Sequence, residues 1–177
     1  MSQVQRRQFL IVAGALIVAP CAANAQQPQK VGRIGVLGNA PSPAIDAFRQ
    51  GLRDLGWVEG KNIFIEYRWM QGQPERLAGL AEELVGLDLD VIFASSSTQV
   101  AAVKQKTRTI PIVFGVHADP VGVGDVASLA RPGGNITGLS MLMSVLSVKK
   151  LEILKEALPA VTRIAVLWNP ATPSHVP

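Results

Sequence analysis

Ile110 to Ser140 reads IPIVFGVHADPVGVGDVASLARPGGNITGLS. Ile112 to Val116 is a short apolar run of the kind that forms a buried strand. It ends in the polar group His117-Ala118-Asp119-Pro120, after which Val121 to Ala130 reads as a helix. Arg131-Pro132-Gly133-Gly134 then reverses the chain into a further strand, Asn135 to Ser140. A strand, a polar turn, a helix and a second strand within so few residues is the pattern of a βαβ unit, and it places His117 and Asp119 at the carboxyl end of a strand. Open α/β sheets present their ligand sites at that edge.

The same alternation extends upstream. Val91 to Ala94 is a continuous apolar strand, followed by Ser95-Ser96-Ser97-Thr98 and a helix from Gln99 to about Thr107. Pro74 opens a helix that turns Leu77, Leu80, Ala81, Leu84 and Val85 inward, and Ile63 to Trp69 is the strand before it. Val31 to Leu37 is the first strand. Asn39 and Ala40 follow it, and Ser42 with Pro43 opens a helix carrying Ala44, Phe48, Leu52 and Leu55 on one face. Five strands alternating with four helices imply right-handed crossovers and an α/β fold, a doubly wound parallel sheet of order 2-1-3-4-5.

Downstream, Ser147 to Leu158 reads as an amphipathic helix with Leu151, Leu154 and Leu158 inward. Arg163 to Trp168 reads as another strand, closed by Asn169-Pro170. It resembles the first strand, since both are apolar runs that end in Asn with a proline within two residues. That likeness points to a second, repeated lobe.

Residues 1–25 have the form of an export signal. Arg6-Arg7 precede the apolar core Phe9–Ala19, and Ala23-Asn24-Ala25 fits a signal cleavage site. The core is too short to span a bilayer, and the chain beyond it has no membrane-spanning segment. Arg6-Arg7-Gln8-Phe9-Leu10 resembles a twin-arginine motif, so both twin-arginine and Sec export stay open. Cys21 suggests a lipoprotein, but Pro20 stands where a small residue is usual and Ala23-Asn24-Ala25 offers the better cut. As the lone cysteine, it excludes an internal disulfide and a cysteine metal cluster.

The net charge is +4, and without Arg6 and Arg7 it falls to fifteen basic residues against thirteen acidic. The remaining basic residues are scattered, apart from Lys104/Lys106/Arg108 and Lys149/Lys150, which read as solvated helix faces. No nucleic-acid partner is expected.

Several segments resemble a bacterial family of ABC-transporter substrate-binding proteins, related to the tryptophan/tyrosine-type binding proteins. They are Gly51 to Asn62 (GLRDLGWVEGKN), Glu66 to Trp69 (EYRW), Ile110 to Phe114, Ala118 to Val121, Arg131 to Gly138 and Val166 to Pro170. The match is collinear from about Val31 to Pro170. It implies a periplasmic-binding-protein-like fold, in which two α/β lobes joined by a hinge close on a small ligand. The implied organisation is a first lobe over residues 26–140, with the hinge crossover and the start of an incomplete second lobe over 141–177. The implied role is that of an extracytoplasmic, periplasmic solute-binding component of an ABC importer, with a small molecule such as an amino acid as ligand and an ABC permease as partner.

The ligand-edge residues are Asn39, Ala40, Ser95, Ser96, Ser97, Thr98, His117, Asp119, Ser140 and Asn169. Hydroxyls and N–H groups at a strand-to-helix turn can hold a carboxylate, although the same residues cap helices. Asp119 likewise can accept from a ligand amino group or cap the following helix. His117 reads as a loop residue lining a cleft or facing solvent. A Rossmann-like enzyme is the competing class. It lacks a glycine fingerprint, a Walker pattern, a nucleophile elbow and a metal-ligand set, so no catalysis, cofactor or metal is expected. A truncated, ligand-incompetent fragment of a binding protein is the other alternative.

Overall fold

The computed structural model describes residues 31–167. The elements, in chain order, are β1 (Gly32–Gly38), α1 (Pro43–Asp54), β2 (Ile63–Trp69), a 3-10 turn at Pro74–Arg76, α2 (Leu77–Val85), β3 (Val91–Ala94), α3 (Ser97–Lys104), β4 (Ile112–His117), β5 (Ile136–Ser140) and α4 (Met143–Ala157). The five strands form one sheet in the order β2-β1-β3-β4-β5, with every pairing parallel. This is the expected doubly wound order. The signal-like segment, Trp168 and Asn169 lie outside the described residues.

The pleat divides the sheet into two unequal faces. Leu37, Ile92, Ala94, Ile112, Phe114 and Ile136 pack under Leu80, Leu84, Val100 and Val103 of α2 and α3, forming the buried core. The opposite face carries α1, whose only buried residue is Ile45. There Phe48 stacks on Phe93 of β3, with ring centroids 4.4 Å apart. Leu55, placed on the same face as Phe48 by its spacing, is the residue after α1 and is 78% exposed.

Glycine makes room at two places on β4 and β5. A Cβ on Gly115 would lie 2.7 Å from the Phe93 ring. Gly138 adopts φ +152°, and a Cβ there would run into the Phe114 carbonyl oxygen. The register between β4 and β5 shifts between Phe114 and His117, which brings Ser140 opposite His117.

Three expectations need correction. Residues 121–130 are turns and bends, not a helix. Asp119 Oδ1 accepts from the Gly122 N–H at 2.8 Å, the Asp125 N–H returns to the Pro120 carbonyl at 2.9 Å, and Gly124 has φ +70°. Two glycines and a backbone-binding aspartate favour this turn over the helix expected there. Residues 161–167 form no strand, and Leu167 is fully exposed. A strand needs a ladder neighbour, and none flanks this segment among the described residues. α4 does form, but Leu151, Leu154 and Leu158 are 44%, 37% and 50% exposed rather than inward.

Candidate functional site

The carboxyl ends of β1, β3, β4 and β5 converge on one edge. On the α1 side of that edge lies a groove of about 440 Å³, lined by Asn39, Ala40 and Ser42 after β1, Ser95 after β3, and Gly115, Val116 and Leu139 of β4 and β5. The Phe48–Phe93 stack forms its apolar wall. A mostly apolar concavity with a few polar groups at one rim is the usual form of a small-molecule site.

Of the ten residues read from the sequence, Asn39, Ala40 and Ser95 line this groove. Asn39 also shapes the rim. Its Oδ1 accepts from the Gly72 N–H at 2.8 Å and its carbonyl from the Gln71 N–H at 2.7 Å, which ties the turn after β2 to the turn after β1. Ser96 is the N-cap of α3, but its hydroxyl donates to the Gln99 side chain and no side chain caps the helix end. The expectation of plain N-capping by these hydroxyls is therefore corrected. Thr98 is half-buried on the first turn of α3. The Ser97 hydroxyl is buried and accepts from the Ala118 N–H at 3.1 Å, joining the β3 and β4 turns. Asp119 is half-buried at the edge and holds its own turn through Gly122 rather than capping a helix. The Ser140 hydroxyl accepts from the Leu142 N–H at 3.2 Å at the exit from β5. Asn169 lies outside the described residues.

His117 is not a loop or cleft-lining histidine. It is the last residue of β4 and only 1% exposed, with its ring edge-on to Phe114. Its Nε2 lies 2.9 Å from Asp125 Oδ2, and Lys104 Nζ donates to Asp125 Oδ1. Burial works against the Asp125 charge, yet the hydrogen bonds from His117 and Lys104 outweigh it and hold the carboxyl below its ordinary range. An ionised carboxylate can only accept, so Nε2 is the donor in this pair. Nδ1 is buried without a hydrogen-bond partner.

Sequence reasoning missed Asp125 and the role of Lys104, because the bond between them depends on a turn where a helix was expected. It also missed the aromatic wall. The alternation in Val91-Ile92-Phe93-Ala94 already sets Phe93 on the opposite face from Ile92, and that was the available signal.

Among the described residues no cluster of three histidine, cysteine or acidic side chains could hold a metal, and no helix is long and apolar enough to cross a membrane.

The single doubly wound sheet, with its groove at the carboxyl edge, places the chain in the class of periplasmic-binding-protein-like α/β folds. It resembles the ligand-free, open structure of a substrate binding protein with adhesive properties from Clostridium difficile, with a TM-score of 0.60 and 26% identity over 73% of this chain and 54% of that one. A Streptococcus pneumonia ABC domain in complex with L-Trp aligns with a TM-score of 0.55 and 25% identity, over 62% of this chain and 38% of that one. A conserved domain protein from Vibrio cholerae aligns with a TM-score of 0.67 and 38% identity, over 81% of this chain and 49% of that one. Residues 34–176 match the family described as ABC transporter substrate binding protein. The chain belongs to that family. A tyrosine-binding protein of Clostridioides difficile is 32% identical over 145 residues, which are 80% of this chain and 41% of the relative. The chain thus spans about half the length, or less, of these relatives.

Proposed function

We propose that this chain supplies the first lobe of an extracytoplasmic solute-binding protein of an ABC importer. The lobe would hold one side of a small ligand at the carboxyl edge of its sheet. The ligand class is an amino acid with an aromatic side chain. The observation that carries the reading is the groove itself. Its wall is the Phe48–Phe93 stack, and its rim carries Asn39, Ala40 and Ser95. An aromatic side chain would lie against that wall. The polar end of the ligand would face the α3 start at Ser96 and Thr98, where no side chain caps the helix, and its ammonium would face Asp119. Relatives that bind tyrosine or hold L-Trp support the choice of ligand.

In this reading residues 26–140 are the first lobe, and 141–177 are the crossover and the beginning of the second. Closure of a second lobe would complete the site, and the closed form would dock on the permease. Differential affinity of the ligand for the closed state drives that change. The role is binding without chemistry, and His117 is too deeply buried to act on a ligand. Residues 1–25 act as the export signal, by the twin-arginine or the Sec route, and lipidation of Cys21 is disfavoured.

The exposed apolar residues of α4 favour a second reading, in which these 177 residues alone close on nothing. A thermal-melt panel of the L-amino acids separates the two. Tyrosine or tryptophan should raise the melting temperature, and Ser95→Phe, which fills the groove, should abolish the rise. No rise with any amino acid would favour the ligand-incompetent fragment.

A further inference from the structure

The turn that borders the proposed ligand edge and the exit from the lobe meet at one buried group. The His117 carbonyl accepts from the Met141 N–H at 2.8 Å, and the Ala118 carbonyl accepts from the Met143 N–H at 2.9 Å. Between these anchors Leu142 is held at φ +50°, a conformation an L-residue rarely adopts without support from its surroundings. The His117 side chain binds Asp125, at the far end of the 118–125 turn. Asp125 is also bound by Lys104, the last residue of α3. The two side chains that meet here, His117 and Asp125, are 1% and 4% exposed, whereas Lys104 is 40% exposed.

We propose that His117, Asp125 and Lys104 form a buried latch that positions the 118–125 turn and, through the His117–Ala118 backbone, the lobe exit at Met141–Met143. The three are positioning residues. They fix both ends of the turn that carries Asp119, and the start of the crossover moves with the same strand end. Ligand engagement at Asp119 and the geometry of the crossover are then set by one element. The significance of that coupling for binding rests on the functional reading above, but the latch itself does not. His117 Nδ1 makes no bond, so what the turn needs from the ring is a donor at the Nε2 position.

The test is amide hydrogen exchange of the full chain without ligand, followed over 118–126 and 141–143 with α2 as the internal reference. His117→Leu removes the donor, and His117→Gln restores an N–H near the Nε2 position. Lys104→Met removes the second donor from a partly exposed site, so it tests the latch even if the leucine variant fails to fold. Exchange in both segments should rise about tenfold in the leucine and methionine variants, as loss of a charge-assisted hydrogen bond predicts, with α2 unchanged. The glutamine variant should stay within roughly twofold of the parent. Unchanged exchange in the methionine variant, a rise spread evenly over α2, or a glutamine variant as open as the leucine one would overturn the latch. Failure of the parent to bind any amino acid would sink the functional reading and leave this result standing.

Discussion

Asp125 lies in the turn that follows β4. In the fold its carboxylate is buried between His117 and Lys104 and held below the ordinary carboxylate range. A depressed folded-state value means that Asp125 stabilises the fold above its unfolded value, and that this contribution is lost as pH falls through the folded value. Asp125→Asn should therefore lower stability near neutral pH and flatten the acid limb of a urea-midpoint-against-pH curve. An acid limb as steep as the parent's would show that another group governs it. His117 and Asp119 were legible as a pair at a strand end. Which of them faces the edge was not, because burial of one ring depends on a partner eight residues away.

At the scale of elements, the five strands and the helices that follow β1, β2 and β3 were legible from period and punctuation, and the order 2-1-3-4-5 from the doubly wound pattern they imply. The apolar runs of Val91–Ala94 and Ile112–Val116 are too short for helices and read as buried strands. The segment after Pro120 is a turn rather than the expected helix because Gly122 and Gly124 disfavour a helix and Asp119 closes the turn. α4 was legible as a helix, although it begins at Met143 rather than Ser147, and its apolar stripe is left exposed. Leu151→Glu and Leu154→Glu should therefore each change unfolding free energy by less than about 0.5 kcal/mol, the range of ordinary surface changes. A loss above about 2 kcal/mol in chemical denaturation would mean that the helix packs on this chain after all.

At the scale of the whole molecule, a core under α2 and α3 and an open groove beside α1 describe a sheet with a presented carboxyl edge. Membership of the substrate-binding family agrees with that description. The central claim is the location of the ligand contact. The most direct measurement is a ¹⁵N–¹H spectral titration of the chain with L-tyrosine and L-tryptophan, because it registers weak, half-sided binding residue by residue. The account predicts that shifts concentrate at Asn39, Ala40, Ser95, Ser96, Thr98 and Asp119, with α2 and α4 silent. Shifts confined to α4 or to the Trp57–Ile65 side of the lobe, or none at all with either ligand, would contradict it.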